Sequence, residues 1–154
     1  MDYELKKIGW VSCLFAHLED AHSVTVQVCV KAGSIYETRE TNWLSHFLEH
    51  MFFKWGKKYQ TPKVVAETID RIGGEFNAFT SSEYAAYYVK SSPQHASVAV
   101  DVLADMMVRP TFLRPEMERE KQVVLQEIKM YEDNPQRLVM RYWKPWFLWD
   151  NKIG

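Results

Sequence analysis

A change in hydrophobic period constrains this 154-residue chain most. Leu14, Ala16 and Leu18 recur at every second position along 12–18, as Val24, Val26, Val28 and Val30 do along 24–30. Period-two recurrence marks half-buried strands. The polar link at 19–23 predicts an antiparallel hairpin with Leu18 against Val24, Ala16 against Val26 and Leu14 against Val28. That register sets Cys13 opposite Cys29, read as two reduced thiols and not as a bridge. Beyond residue 40 the period becomes helical. Asn42 is placed to cap a helix carrying Leu44, Phe47, Leu48, Met51 and Phe52. Thr61-Pro62 opens a second helix and Gly73-Gly74 stops it, with Val65, Ile69 and Ile72 on the inner face. Strands at 75–80 and 84–90 follow. Ser92-Pro93 opens a third helix ending near Arg109-Pro110, and Arg114-Pro115 a long charged one reaching about Asp133. The order ββ-α-α-ββ-α-α predicts one α+β domain over 1–154, a mostly antiparallel sheet with helices packed on one face.

Charge and composition narrow the function classes. Basic and acidic residues nearly cancel, 19 against 20, which gives no electrostatic reason for a nucleic acid or an anionic membrane as partner. No stretch approaches the ~20 apolar residues of a membrane span. The opening MDYELKKIGW has no apolar run of the kind a signal peptide needs, so a soluble, cytoplasmic protein is expected. Two cysteines exclude a disulfide scaffold and a four-cysteine zinc site.

The chemistry is concentrated in His46-Phe47-Leu48-Glu49-His50. Residues four apart on a helix project to the same side, so both imidazoles can meet one metal ion, with Glu49 beside them. Leu44, Phe47, Leu48 and Met51 fall on the opposite side, so the polar trio is segregated. A catalytic zinc needs about three protein ligands and an open position. The spacing H-x-x-E-H marks the inverted zinc peptidases, although five residues also recur by chance. The weight here comes from candidate carboxylates on the last helix. Glu120 and Glu127 are seven apart, two turns along one face, in a stripe shared with Val123 and Val124. Carboxylates pointing inward are costly unless paired or bound to a metal. Glu116, Glu118 and Glu132 read as solvated.

Four stretches together resemble the pitrilysin, insulin-degrading and mitochondrial processing peptidase family. Leu44-Ser45-His46-Phe47-Leu48-Glu49-His50-Met51 is similar to its zinc motif. Arg71-Ile72-Gly73-Gly74-Glu75-Phe76-Asn77-Ala78-Phe79-Thr80-Ser81, with Glu83-Tyr84, resembles its substrate-side strand. Val102-Leu103-Ala104-Asp105-Met106 resembles the next helix, and 118–135 the helix bearing the third ligand. The resemblance implies a zinc-dependent endopeptidase in which His46, His50 and Glu127 bind Zn2+. It implies Glu49 as general base and Glu120 supporting a ligand from behind. Asn77, Ala78 and Phe79 would lie along an extended peptide or unfolded-protein substrate added as a strand. Asn77 otherwise reads as a strand-end turn residue. His17, His22 and His95 match nothing in the family pattern and read as surface residues.

Two departures from the family stand out. Trp43, Trp55 and Trp149 occupy positions where family members carry glycine. Trp43 precedes His46 by three residues, so its indole should crowd the metal's side of the helix, and Trp55 falls where a helix end suits glycine. Either these are genuine tryptophans in a diverged site, or some or all of the six are UGA codons that the source reads as glycine. The exchange would raise Gly from 6 to 12 of 154, near average usage. The second departure is length. The family's zinc half-domain is longer and a second homologous half or subunit closes over the substrate, so an amino-terminal fragment is expected. Alternatives are a non-catalytic structural subunit of such a complex, or a metal enzyme resembling S-ribosylhomocysteine lyase. The latter family takes a later cysteine as third ligand, and both cysteines here precede His46.

Overall fold

The computed structural model describes residues 2–52, 54, 56–136 and 139. Strands β1 (Asp2–Ile8) and β2 (Val11–His17) form a two-stranded antiparallel sheet. A separate antiparallel sheet holds β3 (Val24–Val30), β4 (Glu75–Thr80) and β5 (Ala85–Ser91), with β5 in the middle. The helices are α1 (Leu44–Phe52), α2 (Pro62–Arg71), α3 (Ala96–Val108) and α4 (Arg114–Glu132). Single 3₁₀ turns occupy Ser34–Tyr36 and Pro93–His95. The α+β class, the antiparallel pairing and the helical layer agree with the sequence reading.

Alternation along the strands builds the core. In the three-stranded sheet Val26 pairs with Val89, Val28 with Tyr87, and Ala78 with Tyr87 from the other side. These residues share one face and pack against Val65 and Ile69 of α2 and Ala99, Val102, Leu103 and Met106 of α3. On α4 Glu120 and Val124 are buried, whereas Val123 is exposed, so the expected inner stripe is one residue narrower than read. Pro62 sits in the first turn of α2, where its missing N–H costs nothing, and the Thr61 hydroxyl accepts from the Val64 amide at 3.2 Å. The helix ends as its glycines predict. Gly73, at φ 61, donates to Asp70 O, and Gly74 to Ile69 O at 3.0 Å.

The hairpin expected between 12–18 and 24–30 does not form. β2 pairs with β1 instead, placing Leu14 opposite Leu5 and Cys13 opposite Lys6. β3 pairs with β5, so Cys29 faces Ala86, and both thiols are free. Residues 2–8 mix charges with apolar residues and give a weak strand signal. Their advantage is the tight Gly9-Trp10 turn, with Gly9 at φ 62, which closes the ladder while ordering little chain. The valine row of β3 finds a better apolar partner in the buried row of β5. The cap of α1 is also corrected: the helix starts at Leu44, and the amides of Trp43 and Ser45 donate to the Glu37 carboxylate, not to Asn42. The aromatic tail beyond Pro135, with Trp143, Trp146 and Trp149, lies outside the described residues apart from positions 136 and 139.

Alanine at position 73 would place a Cβ in the left-handed region. Gly73→Ala is expected to lower the free energy of unfolding by about 1 kcal/mol, read from urea denaturation at constant m-value.

Candidate metal centre

Helices α1 and α4 meet where the polar stripe of each faces the other. His46 Nε2 lies 2.9 Å from Glu127 Oε2 and 3.2 Å from His50 Nε2, and His50 Nε2 lies 3.6 Å from the same Glu127 oxygen. One ligand atom from each of the three residues falls within 4.8 Å of the others. Bonds of 2.0–2.1 Å at tetrahedral angles separate ligand atoms by about 3.3–3.4 Å, so the triangle fits a zinc-sized ion with two nitrogens and one oxygen. The two imidazoles stand edge to face, ring centres 4.6 Å apart.

Behind the triangle sits Glu120. It is 2% exposed, and its Oε1 lies 2.7 Å from His50 Nδ1, while Oε2 faces the Lys54 ammonium. Glu49 is on the other side. Its Oε2 accepts from the Thr80 hydroxyl at 2.5 Å and lies 3.6 Å from His46 Nδ1. Hydrogen bonding to Glu49 holds the His46 imidazole above its ordinary pKa against the opposing pull of burial. Burial, helped by the neighbouring His46, moves His50 down. Burial alone would raise Glu49, but the hydrogen bonds from His46 and Thr80 outweigh it and the carboxyl is held low.

The helix bearing these groups is fixed at its start by residues that the sequence reading missed. Glu37 accepts the Trp43 and Ser45 amides at 2.9 and 2.8 Å, which places a carboxylate at the positive end of α1. The loop carrying Glu37 docks on the β4–β5 turn, where Ile35 N–H reaches Ser82 O at 3.0 Å. Gly33 allows that approach, since a Cβ there would lie 2.5 Å from Ser82 O. Glu37 and Thr80 give no periodic signal. Only their contacts reveal them.

Asn77, Ala78 and Phe79 lie on β4, at the edge of the sheet. Asn77 is inside the strand, which removes the turn-residue reading. Ser81 N–H bonds to Tyr84 O at the turn, so ladder bonds alternate from there and the main-chain groups of Ala78 and Thr80 face away from β5, on the side where no strand pairs with β4 among the described residues. The Ala78 N–H bonds to Asn77 Oδ1 at 2.8 Å. Phe79 projects from the opposite sheet face beside Tyr84, ring centres 5.7 Å apart. The hydrogen bond from this strand to α1 comes from Thr80, not from the three residues named in advance.

Residues 13–144 match the family described as Insulinase (Peptidase family M16). The chain belongs to peptidase family M16. It is 53% identical over 117 residues to the uncharacterized zinc protease YmxG of Bacillus subtilis, covering 76% of this chain and 28% of that protein. It is 38% identical over 138 residues to the human mitochondrial-processing peptidase subunit beta, covering 86% of this chain and 28% of the relative. The fold superimposes on the crystal structure of a protease from Helicobacter pylori with a TM-score of 0.84 at 24% identity, over 90% of this chain and 33% of the other. The chain thus spans about 28% of the length of these curated relatives. Among the described residues no helix is long and apolar enough to cross a membrane.

Trp43 stands out in this M16 site. Its backbone has φ 70, a left-handed conformation that bulky side chains avoid. Its indole lies edge-on to His46 and tilted against Tyr131, both at 5.7 Å, so it sits beside His46 as expected, but in ordinary aromatic contact and without the crowding anticipated. Trp55 lies outside the described residues, and Trp10 is 87% exposed beside the Gly9 turn. Trp43→Gly and Trp43→Ala both remove the indole and differ only in tolerance of that φ. The glycine variant is expected to be more stable by about 1 kcal/mol in chemical denaturation, the reverse of their order inside a helix.

Proposed function

We propose that the chain carries the metal-binding and proton-transfer groups of a zinc-dependent endopeptidase, in a single domain that forms the amino-terminal part of a longer M16 unit. The observation that carries this reading is the convergence of His46 Nε2, His50 Nε2 and Glu127 Oε2 on one zinc-sized position. Those three residues would hold the ion. When bound, zinc supplies a Lewis acid that makes hydroxide available near neutral pH and polarises the scissile carbonyl.

The remaining steps fall to the chain's own groups. Glu49 takes the proton of the attacking water and returns it to the leaving amine. Its Oε2 is held by Thr80 and lies near His46, so the carboxylate is oriented before substrate arrives. Glu120 fixes the ring of His50 through Nδ1. An extended peptide adds to the edge of β4 away from β5, bonding the main chain of Ala78 and Thr80 after the Asn77 side chain releases the Ala78 amide. Asn77, Ala78 and Phe79 then lie along the substrate. A second homologous half-domain or subunit would complete the enclosure around a peptide or unfolded-protein substrate, and the location proposed is the cytoplasm.

Metal analysis tests the reading directly. The wild-type chain is expected to bind one zinc, and Glu127→Ala to weaken binding beyond the ~100-fold typical of changes behind the ligands. Glu49→Gln is expected to keep zinc affinity while abolishing cleavage of a quenched fluorescent peptide in any preparation where the wild type cleaves it. Full zinc retention by Glu127→Ala would remove the third ligand.

Acid competition follows from the pKa directions. Zinc needs the neutral imidazole, and His46 is held above the ordinary value of about 6.5, so protons displace metal there first as pH falls. His50, held lower, joins at more acidic pH. Zinc affinity measured against pH should begin to fall above pH ~6.5, by about tenfold per unit, and steepen below it.

A further inference from the structure

We propose that Lys54 is a positioning residue of the metal centre, holding the carboxylate that orients His50. The proposal rests on the zinc reading given above. His46, His50 and Lys54 recur at intervals of four along the chain, and Lys54 N–H bonds to Met51 O at 3.2 Å, extending the turn beyond α1. Their line runs antiparallel to the glutamate stripe of α4. Glu127 reaches His46, whereas Glu120 reaches both His50 and Lys54.

Glu120 divides its oxygens between two tasks. Oε1 lies 2.7 Å from His50 Nδ1, and Oε2 meets the Lys54 ammonium. A carboxylate turns about its last torsion through a broad range, so an unanchored one gives no fixed direction to its acceptor. Pinning Oε2 leaves Oε1 aimed at Nδ1. That bond sets the His50 tautomer with its proton on Nδ1 and its lone pair on Nε2, the nitrogen facing His46 and Glu127. The Glu120 side chain is only 3% exposed, so water has little access to substitute for the ammonium. Lys54 makes no hydrogen bond to either imidazole or to Glu127 in the described contacts, and its positioning effect on His50 runs through Glu120.

The test is zinc affinity of the metal-free 154-residue chain, titrated against a chromophoric chelator, for the wild type, K54M, K54R, E120Q and the pair K54M/E120Q. Thermal midpoints of the metal-free proteins and His50 ring ¹⁵N shifts are recorded alongside. K54M is expected to weaken zinc about tenfold and to reduce the Nδ1–H tautomer, and K54R to restore most of both. In the E120Q background, loss of Lys54 should cost nothing further, because its partner carboxylate is already gone. Equal zinc affinity in K54M and the wild type overturns the proposal, as does an additive cycle. A wild type that binds no zinc fails at the earlier step, removing the metal reading and this role with it. If K54M does not fold, K54Q is read by the same criteria.

Discussion

Two polar stripes, one on each of two helices, must face each other across an otherwise apolar packing, and that constraint organises the molecule. Glu120 is the severest part of it. A carboxylate with almost no exposed surface is tolerable only when both oxygens have partners, and the partners available are His50 of the opposing helix and Lys54 in the turn that follows it. Satisfying Glu120 fixes the register of α4 against α1. That register then brings Glu127, two turns further on, to His46. The candidate metal triangle is in this sense a consequence of where one buried charge can be neutralised.

The rest of the fold supplies the anchorage. The buried row of β5 and the inner faces of α2 and α3 form the core, and α1 is attached beside it at separate points. Glu37 grips its first turn, and Thr80 ties its middle to the edge strand. Site geometry of this kind tolerates little displacement, since small misplacements of a base or ligand are felt strongly in the chemistry. The M16 relatives share this segment within much longer proteins, and it is the segment that holds the proposed ligands and base.

Much of this was legible in the sequence because it is local. The cap and stop of α2, the strand at 75–80 and the long helix from Arg114 follow from residues within a few positions of each boundary. Histidines four apart and glutamates seven apart state their own faces. What failed was non-local. Strand pairing between β3 and β5 joins distant segments, and no short window around 24–30 reveals which partner offers the better apolar row. The first strand was missed because its alternation is diluted by charge, while the Gly9-Trp10 turn that makes it form lies outside it. Glu37 and Thr80 have ordinary local surroundings, and their roles exist only once the loop, the turn and the helix are brought together. Val123 was read as inward beside Val124, but only one of two adjacent helical residues can occupy a narrow inner stripe.

The self-bonded amide on the outer strand bears on solubility. An uncovered strand with all its donors free is a template for indiscriminate joining of chains into aggregates. By folding its side chain back onto Ala78, Asn77 withdraws one rung from that template while leaving the neighbouring groups in place. The guard is reversible, unlike a proline or a bulge: the rung is withheld from stray neighbours and released to a segment that brings enough interactions of its own.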